Sequence, residues 1–269
     1  MNNNNIKELS IQVNLNGLSF CILNRTTNTI EYLNSILFAN KLSPFEVLNS
    51  LKNELSTNAI FYNDDFNTVA VIHQNELSTL VPKDLYDENQ KADYLKFNTK
   101  ILKTDFIAHD ELVVNHSVNL YIPYVNINNY IFETFGEFTY RHSSTILIDT
   151  VLQKVKTTNN TQVYLHVNSS TIEIMVVEKG QLQLFNVFDY YSKEDFIYYV
   201  LFVFEQLNLD VETSIIYLSG CIEKNDTLYD LLYTYIRHVE LIDINFTYHF
   251  SERAKALNLH HHYLILNSF

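Results

Sequence analysis

Glycine is the residue that this chain lacks most. Only four glycines occur among 269 residues, whereas an average composition would give roughly nineteen. Loops that wrap phosphates depend on glycine, because a backbone N–H approaches the ligand closely only where no Cβ intervenes. Neither GxGxxG nor GxxxxGK[ST] occurs in the sequence. The glycine-rich loops of dinucleotide-binding and P-loop proteins are therefore excluded.

Basic residues are also scarce. The chain carries 18 Lys and Arg against 31 Asp and Glu, a formal net charge of −13. Nucleic-acid backbones are bound by clustered Lys and Arg, whereas here these residues are scattered singly. The negative charge also repels anionic membrane surfaces, and the longest apolar run, from Phe196 to Phe204, is too short to span a bilayer. We therefore expect no nucleic-acid partner and no membrane insertion.

Cysteine is rare and export signals are missing. Cys21 and Cys221 lie in or beside apolar runs and form no CxxC pair, which predicts two reduced core thiols in a reducing compartment. The first eight residues have neither the charged nor the apolar region of a signal peptide. We therefore expect a cytoplasmic protein.

The chain is rich in apolar residues (47%), and their alternation predicts strands. Three antiparallel strands are predicted near residues 11–15, 18–22 and 30–33, and a helix with a capping box begins at Ser43. The same order recurs at residues 163–167, 172–176 and 182–187, before a helix capped at Ser192. The strands align without a gap at a spacing of 152, so that Val13 matches Leu165. This repeat predicts two lobes of one architecture.

Further elements extend both lobes. The second continues with a strand ending at Gly220, a helix over 225–238 and a strand over 239–244, and the helix from Phe196 is apolar almost all round, which predicts burial on several sides. The first continues with a strand, helix and strand over 120–139 and a helix over 143–155. A βββ-α-β-α-β order is the ribonuclease H-like layout. We therefore expect an α/β protein of two tandem lobes, 1–157 with an insertion at about 65–116, and 158–269 with a C-terminal tail.

Several segments carry a family resemblance. They are LVPKDLYDE (Leu80–Glu88), YLKFN (Tyr94–Asn98), NLYIPYVNINNYIFETFG (Asn119–Gly136) and TYRH (Thr139–His142). With the two lobes, they resemble a bacterial family of uncharacterised proteins that is assigned the actin-like ATPase fold. A remoter similarity is to the actin-like scaffold protein of type IV pilus assembly, which also has a subdomain inserted in its first lobe.

The resemblance implies a nucleotide site between the lobes, held by two hairpins with a DxGxxS/T pattern. The corresponding stretches here are Asn14–Ser19 and His166–Thr171, and Gly220 occupies the place of a glycine-rich adenosine loop. Neither hairpin has the carboxylate that would position Mg²⁺. The residues of this vestigial pocket are Asn16, Gly17, Ser19, Asn168, Ser169, Ser170, Thr171, Ser219 and Gly220. An alternative interpretation is that these residues form simple hairpin turns.

No other pattern predicts chemistry. His260-His261-His262 is the densest histidine group, yet three adjacent side chains cannot all face one ion on a regular element. We therefore expect a packed or solvated tail segment rather than a zinc site, and hydrogen-bonding roles for the dispersed histidines. No catalytic residue, metal or cofactor is predicted. The sequence favours a non-catalytic scaffold or interaction module whose partner is another protein, and the alternative is a divergent ATPase that binds ATP with Mg²⁺.

Overall fold

The computed structural model describes residues 5–62, 64–155, 161–254 and 258–269. Their fold comprises two compact units, the first from Met1–Leu147, Phe246–Leu257 and Leu264–Phe269, the second from Ile148–Asn245 and Asn258–Tyr263. The C-terminal segment, which we expected in the second lobe, is thus divided between the two units. The predicted lobe boundary at 157 and 158 lies outside the described residues and stays a prediction.

Groups of consecutive strands are followed by helices along the described chain. Up to the middle of the chain, they are β1 (Lys7–Asn14), β2 (Gly17–Asn24), β3 (Thr29–Leu37), α1 (Pro44–Thr57), α2 (Ala59–Tyr62), β4 (Thr68–His73), β5 (Ser78–Pro82), α3 (Lys91–Lys96), β6 (Ala108–Leu112), β7 (Ser117–Tyr121), α4 (Val125–Phe135), β8 (Thr139–His142) and α5 (Ser143–Val155). The remaining elements are β9 (Gln162–Val167), β10 (Thr171–Glu178), β11 (Gln181–Asp189), α6 (Lys193–Gln206), β12 (Ile215–Gly220), α7 (Thr227–Tyr235), β13 (His238–Leu241), β14 (His249–Phe250) and α8 (Tyr263–Leu266).

Each unit has one main sheet, and both predicted three-strand units are confirmed. The first sheet has the order β14-β3-β2-β1-β4-β8 and the second the order β11-β10-β9-β12-β13. In both, the first three strands are antiparallel, and the next strand pairs in parallel with the first. The helix that follows begins at Ser43 in one unit and at Ser192 in the other, each with a complete capping box. The chain therefore folds as the predicted repeat of a ribonuclease H-like layout.

The register corrects the predicted alignment of the repeats. In both units the pairing of the second and third strands shifts register at a bulge, opposite Ile22 and Leu23 in one unit and opposite Val176 and Val177 in the other. Matching the bulges gives a spacing of 154 for the first two strands, while the third strand keeps 152. The difference arises because the turn at 25–28 has four residues and Lys179-Gly180 has two. A gapless alignment is therefore wrong for β1 and β2.

In the first unit, the main-sheet strand after α1 and the bounds of the insertion differ from the prediction. The segment from Leu120 lies in β7, which belongs to a separate small sheet of order β5-β7-β6 with its own apolar core. The main-sheet strand is β4, inside the region that we predicted to be inserted. Because β4 is a central strand covered on both faces, its sequence lacks the alternation that marks a half-exposed strand. The insertion therefore lies between His73 and Tyr124, later than the predicted 65–116.

Two further expectations about exposure are wrong. In α6 five apolar side chains are buried, but Tyr198 is 61% exposed and Phe202 is 39% exposed. Cys21 is buried as predicted, whereas Cys221 is exposed and both thiols are free. Sequence periodicity cannot distinguish a fully buried helix from one with an exposed aromatic face. Among the described residues, no helix is long and apolar enough to cross a membrane.

Candidate functional site

In the first unit, the predicted site residues lie at or near the turn between β1 and β2. A hydrogen bond between the side chain of Asn14 and the backbone of Asn16 closes this turn. The Oδ1 atom of Asn14 accepts a hydrogen bond from the backbone N–H of Asn16 at 2.7 Å. The Nδ2 group of Asn14 donates to Oε1 of Gln74 at 2.9 Å. The hydroxyls of Ser19 and Ser35 lie 2.8 Å apart on neighbouring strands. The polar groups of this turn are therefore engaged within the unit itself.

In the second unit, the structure brings the turn Asn168–Thr171 next to the end of β12. The backbone N–H of Asn168 donates to the Thr171 carbonyl at 2.8 Å, and its Nδ2 group donates to the Thr171 hydroxyl at 3.2 Å. Tyr190 encloses the turn, because its hydroxyl donates to the Asn168 carbonyl at 2.6 Å and its N–H to the Ser170 carbonyl at 2.9 Å. Burial raises the pKa of Tyr190 to about 12. The phenol therefore stays a hydrogen-bond donor at neutral pH.

Gly17 and Gly220 are both explained by backbone packing. A Cβ on Gly17 would lie 2.5 Å from the carbonyl oxygen of Ile36 on β3. A Cβ on Gly220 would lie 2.1 Å from the carbonyl oxygen of Val167, and Gly220 has a φ of +84°. Such approaches exclude a side chain. The close packing of the sheets therefore accounts for both glycines, and a phosphate ligand is not needed to explain them.

The corrected register changes which residues correspond at the turns. At a spacing of 154, Asn14 matches Asn168, and His166 no longer matches Asn14. Asn14 is the last residue of β1 and Asn168 directly follows β9, and each closes its own turn by hydrogen bonds. The two turns present amides and hydroxyls without a carboxylate. Neutral groups of this kind accept hydrogen bonds, but they lack the charge that holds Mg²⁺ against water.

Three dispersed histidines lie buried at the ends of the parallel strands. The ring of His166 bonds to the Ser219 hydroxyl through Nδ1 at 2.9 Å. His73 and Asn128 are joined at 2.8 Å, and His142 and the Ser144 hydroxyl at 2.7 Å. Burial is the main cause that lowers the pKa of His73 and His166 to about 4 and that of His142 to about 3. The predicted role as local hydrogen-bonding groups is confirmed for these three.

A buried polar network around Asp110 was missed by sequence reasoning. Its carboxylate accepts hydrogen bonds from the backbone N–H of His142 at 2.8 Å and from the hydroxyls of Thr145 at 2.7 Å and Tyr121 at 3.0 Å. Asn119 donates to the hydroxyls of Ser144 and Thr145, both at 2.9 Å. The network fastens the small sheet to the first turn of α5, where a carboxylate complements the helix dipole. The spacing of these residues does not predict the network, because they come from four separate elements, β6, β7, β8 and α5.

A second cluster lies in the second unit, after the end of β12. The Nε2 atom of His261 is 2.8 Å from Oε1 of Glu223, and the Nε2 atom of His260 is 3.8 Å from Oε2 of the same carboxylate. His260 is 6% exposed, and its Nε2 lies 2.8 Å from the Ile222 carbonyl oxygen. The predicted packed segment is thus confirmed for His260. The convergence of two adjacent histidines on Glu223 was not predicted, since 37 residues separate Glu223 from His260.

Comparison with solved structures identifies proteins with a similar fold. A Bacteroides thetaiotaomicron protein with an actin-like ATPase fold and unknown function has 25% identity and a TM-score of 0.74, covering 96% of this chain and 95% of its own. The PilM–PilN type IV pilus biogenesis complex contains a chain with 10% identity and a TM-score of 0.63, with 96% and 95% coverage. The ethanolamine utilization protein EutJ from Carboxydothermus hydrogenoformans has 6% identity and a TM-score of 0.51, with 97% and 88% coverage.

Sequence comparison gives the family. No curated protein matches this chain significantly. A family model described as "Protein of unknown function (DUF3822)" matches residues 1–239. The predicted resemblance to a family with the actin-like ATPase fold is confirmed, and the similarity to the pilus-assembly protein is present but remote. The chain therefore belongs to the DUF3822 family and has the actin-like ATPase fold.

Proposed function

We propose that this protein is a non-catalytic interaction module in which the ATPase motifs of the fold are degenerate. The observation that carries the proposal is the internal closure of both hairpin turns. In each turn an asparagine at or directly after the end of the first strand bonds within the turn, and neither Asn14–Gly17 nor Asn168–Thr171 contains an acid. An ATPase needs charge at this place to hold Mg²⁺ and free N–H groups to receive phosphates.

The glycines support the same proposal. Close packing against carbonyl groups of their own sheets accounts for Gly17 and Gly220, so neither glycine by itself indicates a phosphate-binding loop. Ser169 and Ser170 add Cβ atoms in the second turn, where phosphate-binding loops have glycine. The vestigial pocket of Asn16, Gly17, Ser19, Asn168, Ser169, Ser170, Thr171, Ser219 and Gly220 remains a proposal.

Nucleotide binding is tested first by thermal unfolding with Mg²⁺-ATP. A nucleotide at a hundred times its dissociation constant would stabilise the protein by about 2.7 kcal/mol. We expect no shift in Tm and no ATP turnover above a buffer blank. A Tm increase that is lost in Asn168→Ala would contradict the proposal and favour a divergent ATPase.

The surface proposed for a partner protein is the exposed part of α6 beside the edge strand β11. Tyr198 and Phe202, the α6 aromatic face, are exposed and stack at 6.1 Å. Tyr199 stacks on Phe188 of β11 at 4.7 Å, which joins this face to the strand. Within the described sheet, β11 pairs on one side only, with β10. An open edge next to exposed aromatic rings suits an extended segment of another protein, which would add as a strand.

Fold similarity offers a precedent for a protein partner, since one neighbour was solved as the PilM–PilN complex. The test is affinity purification from the native host with three baits: wild type, the double variant Tyr198→Ser/Phe202→Ser, and Tyr233→Ser. Tyr233 is the matched control, because it is 62% exposed on α7 of the same unit. We expect a partner that wild type and the control recover equally and that the double variant recovers at least about tenfold less, since interface aromatics dominate binding energy. Equal recovery by all three baits would contradict this surface.

A further inference from the structure

The Glu223, His260 and His261 side chains form a group that the proposed function does not use. One potential ligand atom from each lies within 4.8 Å of those of the other two. The ligands of a tetrahedral zinc ion, at about 2.0–2.1 Å from the metal, lie about 3.4 Å from one another. The group is therefore slightly wider than a loaded site, so the three side chains must move closer together when they bind an ion.

From this geometry we propose that Glu223, His260 and His261 bind a divalent transition-metal ion, with Zn²⁺ as the best match. Two imidazole nitrogens and one carboxylate suit zinc, nickel or copper, whereas magnesium and calcium prefer oxygen ligands. With neutral histidines, the three ligands carry a net charge of −1, which attracts a divalent cation. Three protein ligands leave a fourth position for water.

The local fold holds the ligands close together. Glu223 follows β12 in a short loop, where the N–H of Glu223 donates to the Asp226 carboxylate at 2.8 Å. The histidines lie in a 3-10 turn, Leu259–His262, and the rings of His260 and His261 both face the Glu223 carboxylate, at 3.8 and 2.8 Å. This is why adjacency does not exclude a shared ion here, although it would on a regular strand. The proposal differs from the sequence-based expectation, which favoured a packed or solvated tail segment over a zinc site.

Metal binding rearranges existing contacts of this group, in which Oε1 of Glu223 also accepts a hydrogen bond from the Nδ2 group of Asn258. The Nε2 atom of His260 now faces the Ile222 carbonyl oxygen, and it exchanges this hydrogen bond for a bond to the metal. The ion then links the loop after β12 to the segment Leu259–His262 within the second unit. Because the two parts are distant in sequence, this link stabilises the folded state. The histidines lie beyond residue 239, where the family match ends.

The test uses the full chain, purified without a histidine tag and treated with a chelator. Zn²⁺ is titrated by calorimetry into wild type, Glu223→Gln, His261→Ala and His238→Ala. His238 is the matched control, because it is an exposed histidine of β13 in the same unit. We expect one zinc per chain in wild type and His238→Ala, and at least about tenfold weaker binding in the other two, the loss typical of a missing metal contact.

Two further measurements distinguish the loss of a metal ligand from a folding defect of the variant. Far-UV circular dichroism checks that Glu223→Gln folds, which we expect because this side chain is partly exposed. Hydrogen exchange of Leu259–Leu266 follows the proposed link, and Zn²⁺ slows it in wild type only if the ion joins this segment to Glu223. Absence of zinc binding in wild type, or equal affinity in folded Glu223→Gln, would overturn the proposal.

Discussion

Single residues at the ends of β9 and β12 decide how closely these strands approach. Gly220 combines a positive φ with a backbone carbonyl 2.1 Å from where a Cβ would be, whereas Gly136 has a φ of +80° and open space around it. Conformational strain at such a φ costs about 1–3 kcal/mol for a residue with a side chain. The clash at Gly220 adds to this strain, because the obstructing atom is part of the main chain.

We therefore expect Gly220→Ala to lower the free energy of unfolding clearly more than Gly136→Ala. Urea denaturation of both variants and wild type measures the difference. Gly136→Ala is the control for strain without a clash, at about 1–3 kcal/mol. Equal losses in the two variants would show that Val167 moves aside easily and that β12 does not need glycine.

The buried histidines make stability depend on pH. Burial lowers the folded-state pKa of His166 from 6.5 to about 4, so the unfolded chain takes up the proton first. The stability that neutral His166 provides is complete above pH 6.5 and falls as the pH decreases toward 4. We expect His166→Gln, which keeps a partner for Ser219, to remove roughly 2 kcal/mol of the loss between pH 7.5 and 5.

The measurement is the free energy of unfolding at pH 7.5 and pH 5 for wild type, His166→Gln and His238→Gln. His238 is exposed and serves as the control. An unchanged pH dependence in His166→Gln would mean that His166 titrates normally in the folded protein. His73 and His142 add to the acid sensitivity of wild type in the same direction.

Among whole elements, α1 and α6 show how local sequence fixes a helix start. In both, a serine accepts a hydrogen bond from the backbone three residues on, and an acid at that position bonds back to the serine N–H. We expect Ser43→Ala and Ser192→Ala each to destabilise the protein by about 1 kcal/mol. Ser56→Ala, at an exposed position of α1, is the control and should be neutral. Thermal denaturation of the three variants checks these expectations.

Elements without such a local signal were predicted less accurately from the sequence. β4 is apolar on both faces and is paired with β1 and β8, so no alternation marks it as a sheet strand. The exposed aromatic face of α6 was expected to be buried. An apolar composition indicates that a helix is buried, but it does not show which of its faces stays exposed. Both errors concern which neighbour covers a residue, and this depends on strands far away in sequence.

At the scale of the whole molecule, the corrected register shows at which positions the missing carboxylates of the two hairpins should be introduced for a test. The variant Asn14→Asp/Asn168→Asp places a carboxylate at the matching end of each first strand, whereas an acid at His166 would be buried beside Ser219. We expect this double variant to show neither a Tm increase with Mg²⁺-ATP nor ATP turnover, because phosphate contacts must supply several kcal/mol of binding first. Turnover by the variant would show that only the charges were missing.

The sequence by itself determined the repeat, the capped helices, the hairpin turns and the absence of acids from those turns. These features depend on periodicity, capping residues and residue type, which act over a few positions of the chain. Only the tertiary structure decided the two-residue shift between repeats, the central place of β4, and the packing that requires Gly17 and Gly220. It also brought Glu223 to His260 and His261. Pairing between distant segments is settled by hydrogen-bonded register and shared burial, and neither leaves a fixed spacing in the sequence.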